Sequence, residues 1–181
     1  VVWHQGQRQE RLLAPLTAPQ GPGITLRQGA RYLVTGGLGG VGQALCRHLQ
    51  DRWGAELVIL SRRAEAGLAP QDAAALAQLR LRGRVIWHQA DLADPAACVG
   101  LDDLGLEGVF HLAGATDPGP LEQATPAALE ALLAVKARAT AALCDLARKP
   151  GGPWLVNFAS LNGTFGGAGY GLYAMANRAQ Q

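Results

Sequence analysis

The apolar run Arg31-Tyr32-Leu33-Val34-Thr35 leads directly into Gly36-Gly37-Leu38-Gly39-Gly40-Val41-Gly42, after which Val41, Leu45, Leu49 and Trp53 recur at helical spacing until Gly54. A strand, a turn almost without side chains and a helix in immediate succession restrict the chain to few folds. Gly37, Gly39 and Gly42 read as G-x-G-x-x-G. A tight turn, close approach of the backbone to a diphosphate, and close packing of helix on strand each require a residue without Cβ. The first N–H groups of the helix add an end that attracts anions. The turn therefore predicts dinucleotide contacts at Thr35, Gly37, Leu38, Gly39, Gly40, Val41 and Gly42.

The rest of the chain repeats the alternation. Strands are expected at 31–35, 56–61, 84–91, 108–112 and 153–160, with helices from Val41 to Trp53 and from Gln71 to Arg82, the latter stopped by Gly83. A weaker helix falls within Pro95 to Leu104. A long one opens on Thr125 as N-cap with Pro126 at the first helical position and runs to Pro150-Gly151. A last helix covers Tyr170 to Gln181. Strand and helix in turn imply an α/β fold, a Rossmann-type doubly wound parallel sheet with helices on both faces. A length of 181 residues suits one domain. Residues 1–28 read as a lead-in segment and linker, in which Val1 to Leu13 fits a short hairpin about Gln5-Gly6. Ala14-Pro15, Ala18-Pro19 and Gly21-Pro22-Gly23 then break regular structure. Residues 29–181 form the nucleotide-binding domain.

Several strand ends carry polar groups. The second strand closes in Ser61-Arg62-Arg63, where an NAD-binding chain would place a carboxylate for the ribose 2′-hydroxyl. Ser61 and Arg62 instead suit a 2′-phosphate, which favours NADPH. Asp91 and Leu92 close the third strand, and Asp91 suits the adenine amine. His111 closes the fourth strand before Ala113 and Gly114. It reads first as a structural histidine and second as a cofactor contact. Fourteen of the sixteen basic residues are arginine, so Lys136 is a departure, and it falls within the apolar stripe of the long helix. A lysine there either snorkels to water or serves a partner at the sheet edge. Ser160 ends the fifth strand and its surroundings are not G-x-S-x-G. Tyr173 and Asn177 share a helix face at i, i+4, with Tyr170 as a rival hydroxyl.

Other classes are disfavoured. A net charge of +2 without a basic block argues against nucleic acid. Cys46, Cys98 and Cys144 are odd in number and widely spaced, so neither a disulfide framework nor a metal site is expected. No apolar run suggests a membrane span, and a cytoplasmic protein is expected.

From about Arg31 to Arg178 the sequence resembles the short-chain dehydrogenase/reductase superfamily, and within it the ketoreductase domains of modular polyketide synthases. The glycine turn, Leu60-Ser61-Arg62, Gly108 to Gly114, Lys136 and the Ser160 to Asn177 block carry the likeness. Lysine on the helix and asparagine four residues after the tyrosine is the order typical of synthase ketoreductases. The resemblance implies that Tyr173, Ser160, Lys136 and Asn177 are catalytic. The reaction implied is reduction of a β-ketoacyl thioester, tethered by phosphopantetheine to an acyl carrier protein, by NADPH. Neighbouring synthase domains are implied partners. Thr116-Asp117-Pro118 stands where one stereochemical class carries Leu-Asp-Asp, and Phe165 where the other carries tryptophan, so the product configuration stays open. It also implies that the sheet is truncated at its C-terminal side and that residues 1–13 are a remnant of a structural subdomain.

Overall fold

A computed structural model describes residues 2–10, 12–17, 23–98 and 100–181. A short antiparallel hairpin, β1 (Val2–His4) and β2 (Gln7–Gln9), turns at Gln5-Gly6 as expected. The expected breaks at Ala18-Pro19 and Gly21-Pro22 lie outside the described residues.

The domain itself is one parallel sheet of β3 (Arg31–Thr35), β4 (Glu56–Ser61), β5 (Val85–Gln89), β6 (Gly108–His111) and β7 (Trp154–Asn157), in the order β5-β4-β3-β6-β7. Four of the five residues of β3 are buried, as a central strand covered on both faces requires. The chain moves outward from β3 through β4 to β5, then returns to build β6 and β7 on the other side. The order therefore reverses between β3 and β6, and the crevice beyond their carboxyl ends is where such sheets bind ligands.

Helix α1 (Gly40–Trp53) ends on Gly54 in the left-handed region. Helix α2 (Pro70–Arg82) begins one residue before the expected start. Tyr32, Leu57, Ile59, Leu49 and Leu79 fill one side of the sheet, and Leu33, Val58, Val109, Leu143 and Leu146 the other. Tyr32, Phe110 and Trp154 meet with ring centroids 5.1–5.9 Å apart. Gly108 makes room for this cluster, since a Cβ there would lie 2.3 Å from the Trp154 ring.

Five expectations are corrected. β5 and β7 are shorter than 84–91 and 153–160, because their neighbours end first: Gln89 pairs with Ser61 and Asn157 with His111. Asp91 thus lies beyond the strand, where its Oδ1 accepts from the Ala93 N–H at 3.0 Å. Residues 95–104 hold two short 3-10 turns, Pro95–Cys98 and Asp102–Leu104, rather than a helix. Gly100 and Gly105, both at positive φ, set the breaks. The long helix is divided into α3 (Pro126–Leu133) and α4 (Ala139–Arg148) by a π-turn at Ala134–Arg138. Thr125 caps it as expected, its hydroxyl accepting from Ala128 N–H at 3.1 Å. A short helix, α5 (Asn162–Phe165), precedes α6 (Gly171–Gln180) where loop was expected.

Candidate active site

The glycine turn lies at the reversal point and is locked to β6. Thr35 Oγ1 accepts from the Ala113 N–H at 3.0 Å and lies 2.7 Å from His111 Nδ1. Gly36 has φ +70°, and a Cβ on it would sit 2.8 Å from Ala113 N. Both the backbone angle and the contact therefore demand glycine. Gly36 was absent from the expected contacts because the G-x-G-x-x-G pattern places the emphasis on 37, 39 and 42, while a positive φ leaves no mark in composition.

A trough of about 370 Å³ opens over this turn. Thr35 and Gly39 form its floor, Ser61 and Arg62 one end, Asp91 and Leu92 the adjoining side, and Ala113 and Gly114 the far wall. Gly36, Leu60, Arg63 and Ala90 line it as well. Gly37, Leu38 and Gly42 lie buried beneath the turn and Gly40 is exposed at the start of α1. The Arg62 guanidinium has no protein partner among the described residues, whereas Arg63 pairs with Asp72 at 2.7 Å.

His111 does not reach the trough by its side chain. It is fully buried, and Nε2 makes no hydrogen bond of ordinary geometry among the described residues. Burial, reinforced by the Lys136 charge, pushes its pKa down from 6.5 to about 4, against a small opposing pull from the Val135 main chain. Below pH 6.5 the unfolded chain then binds a proton that the folded chain refuses. Stability is therefore complete above pH 6.5 and lost as pH falls toward about 4, by about 3 kcal/mol in all. Urea unfolding at stepped pH should show this loss, and a His111→Gln variant should lose that part of the slope.

The π-turn carries Lys136 beneath the loop that follows β6. Such turns often mark functional sites in helices. Lys136 is 4% exposed and Nζ donates to the Phe158 carbonyl at 2.8 Å, so the ammonium bridges the long helix and the end of β7. Burial lowers its pKa. Gly114 admits the lysine, since a Cβ there would lie 2.9 Å from Lys136 Cε.

Lys136 and Tyr173 line one cavity of about 440 Å³, together with Val41, Thr116 and Phe158. This cavity shares Leu112 and Gly114 with the trough, so the two adjoin at that wall. Tyr170 packs edge-on against Tyr173 with centroids 6.2 Å apart. Asn177 lies behind the tyrosine, fully buried, and donates from Nδ2 to the Tyr173 carbonyl at 2.9 Å. Ser160 is not brought to the cavity wall. Its Oγ accepts from the Asn162 N–H at 3.2 Å, in the turn that opens α5.

Residues 30–181 match the KR domain family. The chain belongs to the KR domain family. It is thereby a ketoreductase-type member of the short-chain dehydrogenase/reductase superfamily. This KR domain is 38% identical over 162 residues to polyketide synthase ThaG of Burkholderia thailandensis, covering 86% of this chain and 3% of that protein. It is 40% identical over 173 residues to the spectinabilin polyketide synthase system protein NorA of Streptomyces orinoci, covering 91% and 9%. Among solved structures, it resembles A-type ketoreductases from a modular polyketide synthase at 35% identity and a TM-score of 0.73, covering 90% of this chain and 36% of that one. The KR domain thus spans a small part of the synthases and about a third of the solved ketoreductase. No helix among the described residues is long and apolar enough to cross a membrane, and none of their side chains cluster as a metal site.

Proposed function

We propose that this KR domain reduces a β-ketoacyl thioester, tethered by phosphopantetheine to an acyl carrier protein, to the β-hydroxyacyl thioester with NADPH. One observation carries the reading: Tyr173 and the buried Lys136 line a cavity that adjoins the glycine-floored trough at Leu112 and Gly114. The trough suits a dinucleotide because about 370 Å³ lies over Gly39, an exposed residue with no side chain to hold a diphosphate away from the backbone. The unpaired Arg62 beside Ser61 suits a 2′-phosphate.

When bound, NADPH supplies the hydride for the ketone carbon. Tyr173 donates its phenolic proton to the carbonyl oxygen as negative charge develops there. Lys136 stabilises the phenolate left behind, since a cation held in a cavity of reduced polarity favours the charged form of its neighbour. Ser160 Oγ accepts from the Asn162 N–H and lies off the cavity wall, so the proton transfer rests on Tyr173 alone. Asn177 holds the turn of α6 that carries the tyrosine. The acyl carrier protein and neighbouring synthase domains are the partners of this reading, which the synthases ThaG and NorA support.

Oxidation of NADPH in the presence of a β-ketoacyl thioester, followed at 340 nm, tests it. Consumption that depends on the thioester is expected; NADPH binding without consumption would overturn the assignment. Arg62→Ala should weaken NADPH about 10- to 100-fold, the loss of a charge-assisted contact, and leave NADH within about twofold. Equal losses for both cofactors would remove the 2′-phosphate role.

A further inference from the structure

The two arginines at the end of β4 are held differently. The Arg62 main-chain carbonyl accepts from Gln89 Nε2 at 3.4 Å, and its guanidinium has no partner among the described residues. Residue 63 is tied at three points. Its N–H donates to Ser61 Oγ at 3.2 Å, its carbonyl accepts from Trp87 Nε1 at 3.2 Å, and its guanidinium pairs with Asp72 at 2.7 Å. The anchors are themselves fixed. Trp87 sits within β5, packed against the core cluster. Asp72 lies in the first turn of α2, where the helix favours a carboxylate, and its side chain is 19% exposed.

We infer that Asp72 and Trp87 are positioning residues that hold Arg63 as a fixed second cation for the 2′-phosphate of the cofactor, while Arg62 closes on the phosphate as a mobile one. The inference rests on the NADPH reading above. An ion pair this open to solvent adds little to stability, so its effect falls on where the guanidinium stands. Arg63 lines the trough at the same end as Arg62 and Ser61. Arg63 Nη2 stands 2.7 Å from Asp72 Oδ2, and a guanidinium carries five N–H donors, more than one carboxylate can take up, so donors remain for a phosphate. A side chain held in place beforehand loses less freedom on binding, which is how a carboxylate can strengthen an anion site despite its own charge. Asp72 and Trp87 lie eleven and twenty-six residues beyond Ser61, outside the glycine turn and the Ser61-Arg62-Arg63 cluster. No sequence pattern would have pointed to them.

The test compares 2′,5′-ADP with 5′-ADP by titration calorimetry on the protein. In Asp72→Ala, and in the closer-shaped Asp72→Asn, the preference for 2′,5′-ADP should fall about 3- to 10-fold while 5′-ADP binding is retained. Asp72→Glu should restore part of it. Trp87→Phe, which keeps the ring and removes the N–H, should lower the preference by about twofold or more. Adding Asp72→Ala to Arg63→Ala should cost nothing further, because the carboxylate acts only through that arginine. Retained 5′-ADP binding shows that each variant still folds. An unchanged preference in the Asp72 variants would overturn the inference alone, and so would an increased one, which would mean that Asp72 withholds Arg63 from the ligand. A parent protein that binds both nucleotides equally would overturn the NADPH reading itself.

Discussion

Tyr173→Phe is expected to abolish ketone reduction, with turnover falling by about 100- to 10,000-fold, the range lost when a positioned proton donor is removed. NADPH affinity should hold, because Tyr173 lines the cavity that Lys136 also lines and not the trough floored by Thr35 and Gly39. The change deletes one oxygen and leaves the ring that packs on Tyr170, so the fold around it has no reason to shift. Separate measurement of NADPH fluorescence and thioester-dependent oxidation distinguishes the two. Turnover retained within about tenfold would exclude Tyr173 as the acid and leave Tyr170 as the neighbouring phenol to examine. Loss of NADPH binding together with turnover would show instead that the substitution disturbs the trough.

Gly42→Ala is expected to have the largest effect on the fold itself. Its Cβ would lie 2.2 Å from the Gly36 carbonyl oxygen and 2.8 Å from Gly37 Cα. Both are backbone atoms of the turn, so no side-chain rotation relieves the contact, and the start of α1 must lift from the loop. A cost of about 3 kcal/mol or more is expected, at the upper end for inserting a single methyl into packed structure, with loss of dinucleotide binding. Urea midpoints and NADPH fluorescence check both. Gly40→Ala is the control, since nothing lies within 4 Å of its Cβ, and its stability should stay within about 1 kcal/mol of the parent. Similar behaviour of the two variants would show that the close approach at Gly42 has no energetic weight.

The sheet was legible because burial on both faces leaves a plain mark: runs such as Tyr32-Leu33-Val34 and Leu57-Val58-Ile59-Leu60 admit few readings, and β3 and β4 fall at the expected residues. Strand ends were less legible. Apolar residues continue past Gln89 and Asn157, but a strand stops where its partner's ladder stops, a relation between distant segments. The division of the long helix is similar. Nothing in Ala134 to Arg138 breaks helix locally, yet the wider turn there brings Lys136 to the Phe158 carbonyl. Lys136 stood out by its scarcity and its place in the apolar stripe, whereas Tyr173 was set apart from Tyr170 by the family resemblance. The direction of the Ser160 hydroxyl could not, because it is set by a backbone N–H two residues on. Gly36 and Arg63 were overlooked for a related reason: the role of each follows from a φ angle or a tether, not from its neighbours in sequence.

The bond from Ala113 to Thr35 spans 78 positions of the chain. The floor and far wall of the trough therefore come from distant parts of the chain, joined only when β6 docks beside β3. On the NADPH reading, a polypeptide emerging from the ribosome would gain affinity for the nucleotide when that central pairing closes, not when the glycine turn is made. Ligand affinity then reports on completed topology, and a cofactor that binds only the closed form raises the apparent stability with its concentration. On that reading the cofactor would act as a latch on a finished sheet, sparing the half-built intermediate from being held in a premature shape.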